Sequence, residues 1–202
     1  MGSAASDETL DVLGIDTAAR APLRTWLALL ADWNKRIDLT AARSDDELVD
    51  LMLADAALLA KHVARGARVV DVGTGAGAPG LALALMRPDL DVTLVEPLAK
   101  RASFLRTVVG SVNRPDVKIF RERGDATLAR VGRAFDVATS RATLAPLEWV
   151  PLGLALAPLA WALLARDEPP AVAGTSTVLD VTYNWPRTGA HRRAVVFRST
   201  GD

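Results

Sequence analysis

Val69-Val70-Asp71-Val72-Gly73-Thr74-Gly75-Ala76-Gly77-Ala78-Pro79-Gly80 is the stretch on which the fold turns. A short β-rich run ends on a cluster of glycines, and the apolar stretch LALALM at 81–86 follows at once. A strand that ends on glycines and opens a helix lets the backbone approach a ligand and presents the helix's first N–H groups to it. Outward from this loop the alternation continues: DVTLVEP at 91–97, KRASFLRTVV at 100–109, VKIFRER at 117–123, FDVATS at 135–140 and WALLA at 161–165. Strand and helix alternating at this spacing imply a parallel sheet with crossover helices, the doubly wound α/β class. Two further strand candidates, TVLDVTY at 177–183 and RAVVF at 193–197, are separated by Asn184-Trp185-Pro186 and Gly189.

Upstream, Leu23, Trp26, Leu27, Leu30 and Trp33 recur at helical spacing, with Pro22 early enough in the helix to be tolerated. Ser44-Asp45-Asp46-Glu47 reads as a capping box before a second helix with Leu48, Leu51, Met52, Leu58 and Leu59 on one stripe. Asp55 falls on that apolar stripe and must therefore be paired or hydrogen-bonded, because an isolated buried charge is very costly. A structural network role is the better reading for it, with a catalytic one kept as the alternative. The expected organisation is one compact domain, a helical N-terminal extension over 1–66 and an α/β core over 67–202.

The chain has 202 residues, 50% hydrophobic and 24% charged, enough to bury a single well-packed core. It has no cysteine, which excludes disulfides, thiolate metal sites and any mechanism with a cysteine nucleophile. His62 and His191 stand alone without ligand spacing, so no metal is expected. The nearly apolar run 151–165 is too short for a bilayer span and contains Pro151 and Pro158. With no secretory-type N-terminus either, a cytoplasmic protein is expected. Net charge is zero but uneven: residues 1–96 hold 9 basic and 15 acidic side chains, 97–141 hold 10 and 4, and 142–202 hold 5 of each. The basic middle segment is either a face for a polyanion or a set of solvated helix arginines.

Gly75, Gly77 and Gly80 satisfy GxGxxG, and Glu96 ends the next strand at the distance of a ribose-binding carboxylate, so a dinucleotide is one reading of the loop. A glycine loop kept for packing is another. In a dinucleotide fold, however, the strand runs straight into the first fingerprint glycine, whereas here it runs into Gly73 with Asp71 inside it. This hhDxGxGxG arrangement resembles motif I of the class I S-adenosylmethionine-dependent methyltransferases, a Rossmann-like doubly wound, mostly parallel fold. A sulfonium ligand has no pyrophosphate to seat, so an acid beside the loop is acceptable. The resemblance gives the loop residues Asp71, Gly73, Gly75 and Gly77 to the cofactor's amino-acid part, Glu96 to its ribose and Asp125 to its adenine amino group.

More of the chain resembles one family. Trp33-Asn34-Lys35 with Asp38-Leu39-Thr40, then DVGTGAGAPG, Lys100-Arg101 with Phe104-Leu105, Arg123 with Asp125, and Ser140-Arg141-Ala142 occur in the order found in the ribosomal RNA small-subunit methyltransferase G family. The resemblance implies S-adenosylmethionine-dependent methylation of the seven-position nitrogen of a guanine in small-subunit ribosomal RNA. It adds Ala78, Gly124 and Arg141 to the cofactor contacts and implies a small ribosomal subunit, or its RNA, as partner to a monomer. Arg141 is also the candidate catalytic residue, through contact with the guanine's oxygen face or a phosphate. Lys100, Arg101, Arg106, Arg123 and Arg166 are candidate RNA contacts.

The chain departs from the family pattern at Met52, Ala56 and Ala165, and residues past Arg166 scarcely match. Two alternatives follow: a methyltransferase for a small molecule, which predicts an enclosed apolar pocket, and a non-catalytic S-adenosylmethionine-binding paralogue.

Overall fold

The computed structural model describes residues 5–165 and 168–201. Helices come first: α1 (Asp7–Val12), α2 (Thr17–Trp33), α3 (Asp45–Val49), one π-helical turn (Asp50–Ala54) and α4 (Asp55–His62). The core then alternates β1 (Arg68–Val72), α5 (Gly80–Met86), β2 (Asp91–Val95), α6 (Ala99–Ser111), β3 (Lys118–Phe120), α7 (Gly124–Val131), β4 (Val137–Arg141), α8 (Pro146–Leu156) and β5 (Leu159–Leu164). A hairpin of β6 (Thr175–Asn184) and β7 (His191–Ser199) closes the chain. Strand order is β3-β2-β1-β4-β5-β7-β6. β1 to β5 are parallel, and β7 runs antiparallel between β5 and β6. Among the described residues no helix is long and apolar enough to cross a membrane.

Sequence periodicity explains the layering. Alternate residues of a strand face opposite sides, so Val69 enters the core beneath α2, α4, α5 and α6, while Val70 and Val72 enter the one beneath α7 and α8. Each fully buried valine or leucine contributes about 1.5–3 kcal/mol of transfer free energy. On β7, Ala194 to Phe197 are all buried because the strand is covered on both edges. β6 is the outer edge, half-buried in alternation and irregular between Thr177 and Leu179. Such an irregularity twists an edge away from further pairing.

The second N-terminal helix differs from its expected form. Ser44 Oγ accepts from Glu47 N at 3.1 Å as a capping box requires, but the glutamate reaches back to Arg43 N (2.8 Å) instead of to its cap. The stripe from Leu48 to Leu59 is also broken by the π-helical turn, a feature frequent at functional sites.

Candidate functional site

β1 and β4 are neighbours although three strands apart in chain order, with Asp71 opposite Thr139, and β2 lies on the other side of β1 with Val72 opposite Val95. The chain therefore leaves β1 and β4 in opposite directions, which opens a crevice at their carboxyl ends, the general ligand position in open α/β sheets. A cavity of about 530 Å³ occupies it, lined by Gly73, Thr74, Gly75, Ala76 and Ala78 of the loop, Glu96, Pro97 and Leu98 after β2, Arg101 of α6, and Arg141, Ala142 and Thr143 after β4. Leu39, Thr40, Leu51 and Met52 form its outer wall. A second cavity of about 410 Å³ shares Gly73, Pro97 and Thr143 with the first and reaches Arg123, Gly124 and Asp125.

The loop's N–H groups decide what this cavity can hold. Gly73 N and Thr74 N donate to Val95 O, Gly77 N and Ala78 N to Thr74 O, Gly75 N to Glu96 Oε2 (3.0 Å) and Gly80 N to Asp71 Oδ2 (2.8 Å). Most of the donors that would cradle a pyrophosphate are already used, two of them by carboxylates, and only Ala76 N among the N–H groups of residues 73–78 has no hydrogen-bond partner among the described residues, which weighs against the dinucleotide reading of the loop. Glu96 is almost fully buried and also accepts from Leu98 N at 2.8 Å, which fixes its carboxylate on the cavity wall. The cavity thus presents one carboxylate, Glu96, on the wall after β2, and the arginines Arg101 and Arg141 on its other walls.

Two residues expected to touch a cofactor turn away. Asp71 lies wholly buried behind the loop, where burial pushes its carboxyl up to about 6 against the opposing pull of Thr74, Gly80 and Arg141. It ties the start of α5 to β1. Gly77 (φ +111°) faces inward: a Cβ there would meet Leu81 at 2.9 Å and the Trp26 ring at 3.2 Å. Gly73 (φ +72°) faces the cavity under the tightest constraint, since a Cβ would fall 2.1 Å from Thr143 Oγ1.

Sequence periodicity did not expose what the N-terminal helices do for this loop. Trp26, read as a core residue, donates Nε1–H to Ala76 O at 3.0 Å and so braces the loop from α2. Asn34 Oδ1 accepts from Leu39 N (2.8 Å) and Thr40 N (3.1 Å), which shapes the turn that supplies the cavity's outer wall. After β4, Ser140 Oγ donates to Val72 O at 2.8 Å, tying the two strands together where they diverge. Ala142 takes a left-handed conformation (φ +53°), and Thr143 Oγ1 hydrogen-bonds Gly73 O at 3.2 Å.

Asp55 is not a free acid or base. Its Oδ2 accepts from Arg141 Nη1 at 2.9 Å, and its Oδ1 from Tyr183 Oη (2.6 Å) and Trp185 Nε1 (3.0 Å). Both oxygens are engaged in a buried network, which fits the structural network reading of this residue. Arg141 Nη1 also donates to Leu51 O in the π-helical turn, so the turn helps aim the guanidinium. Burial and the adjacent Asp55 carboxylate raise the Tyr183 hydroxyl well above its ordinary range. Asp50, fully buried and unremarked in the sequence, accepts from Arg187 N, Thr188 N and Thr188 Oγ1. Two carboxylates five positions apart thus clamp the β6–β7 hairpin to the helical layer. Around Arg141, Asp55, Tyr183, Trp185 and Arg192 a third cavity of about 280 Å³ opens.

The basic segment 97–141 does not form one free surface. Arg114 pairs with Asp116, Lys118 with Asp91, Arg130 with Glu122 and Arg141 with Asp55. Arg123 lies 3.4 Å from Asp125, with both side chains exposed. Lys100, Arg101, Arg106 and Arg121 carry no ion pair among the described residues; the first three lie on α6, and Arg101 reaches the cavity. Arg166 lies outside the described residues. Ala165 is exposed at the end of β5, and Met52 and Ala56 are buried. Among the described residues no group of three or more His, Asp or Glu stands where it would hold a metal ion.

A family model described as rRNA small subunit methyltransferase G matches residues 20–151. The chain belongs to that family. The family member of Chromobacterium violaceum is 40% identical over 130 residues, covering 64% of this chain and 61% of its own length. That of Xanthomonas axonopodis is 41% identical over 140 residues, 69% of this chain and 65% of its own. The chain thus spans under two thirds of the length of these curated relatives, and its β5, β6 and β7 lie beyond the range matched by the family model. Solved structures give the same fold at low identity. A putative RNA methyltransferase from Pyrococcus horikoshii superposes with TM-score 0.54 at 15% identity, covering 88% of this chain and 98% of that one. A variant of MtNAS in complex with S-adenosylmethionine gives 0.58 at 14%, covering 96% and 80%. The fold is the Rossmann-like fold of methyltransferases.

Proposed function

We propose that the protein transfers a methyl group from S-adenosylmethionine to the seven-position nitrogen of a guanine in small-subunit ribosomal RNA. The observation that carries this reading is the cavity at the β1–β4 switch, walled by Glu96 and by a loop most of whose N–H groups are already paired, two of them with carboxylates. The fixed Glu96 carboxylate suits a ligand that bears ribose hydroxyls. S-adenosylmethionine, when bound, supplies a methyl group on a positively charged sulfur. Gly73, Gly75 and Ala78 would face its amino-acid part, Glu96 its ribose, and Gly124 and Asp125, across the apolar Val72, Val95 and Leu152, its adenine.

The chemistry needs little from the acceptor side. The target nitrogen carries an in-plane lone pair and no proton, so the protein must align it and need not supply a base. The engagement of both Asp55 oxygens agrees with that requirement. Arg141, held by Asp55 between the first and third cavities, would steady the guanine or its phosphate with its remaining N–H groups. Lys100, Arg101, Arg106 and Arg123 would meet RNA phosphates, with Arg166 as a further candidate. Of the 1–66 extension, the described helices would brace the glycine loop of the 67–202 core, and the protein would act as a cytoplasmic monomer, where small ribosomal subunits are found.

Transfer of labelled methyl from S-adenosylmethionine to small ribosomal subunits lacking this modification tests the reading, with Arg141→Ala as control. Label mapped to one guanine and lost in the variant is the expected result. No incorporation, with S-adenosylhomocysteine still bound, would overturn the ribosomal assignment and favour a small-molecule acceptor or a non-catalytic role.

A further inference from the structure

The third cavity, about 280 Å³, lies beside the first, with which it shares Leu51, Arg141 and Ala142. Its floor is apolar, from Leu144, Leu163 and Leu164, and its far wall belongs to the β6–β7 hairpin through Tyr183, Trp185 and Arg192. Tyr183 and Arg192 sit directly opposite each other in the hairpin register. The Arg192 guanidinium lies over the Trp185 ring, 3.6 Å from its centroid, and donates one bond, Nη1 to His191 O at 2.8 Å. A guanidinium has five N–H donors and no acceptor, so Arg192 keeps donors for a ligand, and it has no ion pair among the described residues.

The polar character of the pocket is one-sided. Among the described residues that line it, Asp55 is the only carboxylate, and that carboxylate is consumed by Arg141, Tyr183 and Trp185, whose hydroxyl and indole N–H are consumed in return. What remains to be satisfied is donors, from Arg141 on one wall and Arg192 on the other. A flat ring on the leucine floor would be retained if its edge offers acceptors and rejected if that edge offers an amino group, because a buried donor facing a donor leaves both unpaired. Guanine presents an oxygen at its six position where adenine presents an amino group.

We infer that this pocket receives the acceptor base and that Arg192, steadied on Trp185, recognises the six-position oxygen of guanine and thereby selects guanine over adenine. The inference rests on the proposed methyl transfer to RNA. It places a specificity-determining residue in the hairpin, beyond the stretch matched by the family model.

The test pairs protein and base changes. Small ribosomal subunits are reconstituted with RNA carrying either guanine or 2-aminopurine, which keeps the ring nitrogen but lacks the six-position oxygen, at the target. Methyl transfer is then measured for the full chain, Arg192→Ala and Arg192→Met, the last retaining an aliphatic stem against Trp185. The expected result is that each change alone lowers kcat/KM about ten- to a hundredfold, that together they cost no more than either, and that S-adenosylhomocysteine affinity is unchanged. Equal loss on both RNAs when Arg192 is replaced, with the unaltered protein active, would overturn the assignment of Arg192 alone. Absence of methyl transfer by the unaltered protein to guanine-bearing subunits would overturn the underlying function and this inference with it.

Discussion

Asp55 Oδ2 stands 2.9 Å from Arg141 Nη1, and the carboxylate's other oxygen is shared by Tyr183 and Trp185, so one buried acid joins the helical layer, the end of β4 and the C-terminal hairpin. Removing one partner of a buried ion pair leaves the other charge uncompensated. Asp55→Asn is expected to cost about 3 kcal/mol, a fall in Tm of roughly 10 °C for a chain of this size. It should also lower methyl transfer, because Arg141 loses its anchor. Calorimetry beside the transfer assay checks both, and an unchanged Tm would show that the network is not stabilising.

How much of this was legible follows from distance along the chain. β1, its glycine loop and the alternation after it were readable because period and turn chemistry are local signals. That Asp55 needs a partner was also readable, since a carboxylate on an apolar helical stripe must be neutralised. The partner was not: Arg141 lies 86 positions away and Tyr183 128, and nothing local in either segment specifies the meeting. Trp26 had the periodicity of a core residue, and its fully buried ring agrees, but its N–H also serves a loop 50 positions on. The preference for a sulfonium ligand over a dinucleotide came from Gly73 and Asp71 at the end of the strand, whereas the partners of the loop's N–H groups, which a glycine spacing does not contain, needed the structure.

Trp26→Phe keeps an aromatic ring in the core and removes only the donor to Ala76 O. A buried carbonyl left without its partner costs about 1–3 kcal/mol. The expected outcome is a fall in Tm of several degrees and a several-fold weaker affinity for S-adenosylhomocysteine, measured by calorimetric titration. Lower stability with unchanged affinity would confine Trp26 to packing.

Gly73→Ala should abolish cofactor binding. The new Cβ would lie 2.1 Å from Thr143 Oγ1 and 2.7 Å from Thr143 Cβ, at a φ of +72° that side chains rarely adopt. Since Thr143 must shift, the wall shared by the first two cavities shifts with it. Titration with S-adenosylhomocysteine gives the answer directly, and affinity within threefold of the unaltered protein would contradict the tight fit.

Salt dependence separates phosphate contacts from paired surface charge. Each phosphate neutralised contributes about 0.7–0.9 to the slope of log affinity against log salt. Lys100→Ala and Arg106→Ala, on the unpaired face of α6, should each reduce the slope for small ribosomal subunits by nearly one. Lys118→Ala should leave it unchanged, because that ammonium is held by Asp91 at 2.8 Å at the other end of the sheet. Equal slopes for all three variants would remove α6 from the RNA interface.

Asp71 supplies a pH signature of the fold itself. In the unfolded chain its carboxyl titrates near 3.8, whereas burial in the native state pushes it up to about 6. Between those values the native protein holds a proton that the unfolded chain has released, so this group's contribution to stability is full below about pH 4 and falls as pH rises to 6, then stays level. The difference amounts to about 3 kcal/mol. Other carboxylates move the opposite way: Asp89, Asp116 and Asp136 are held below their ordinary range by the arginines they pair with, so their stabilisation is lost on acidification. The readout is therefore the stability of Asp71→Asn minus that of the unaltered protein, from denaturant unfolding across pH 4–7. Asparagine can still accept from Gly80 N, and it does not titrate. The difference should rise in favour of the variant between pH 4 and 6 and flatten above. A difference constant across that window would mean that the buried carboxyl titrates at its ordinary value.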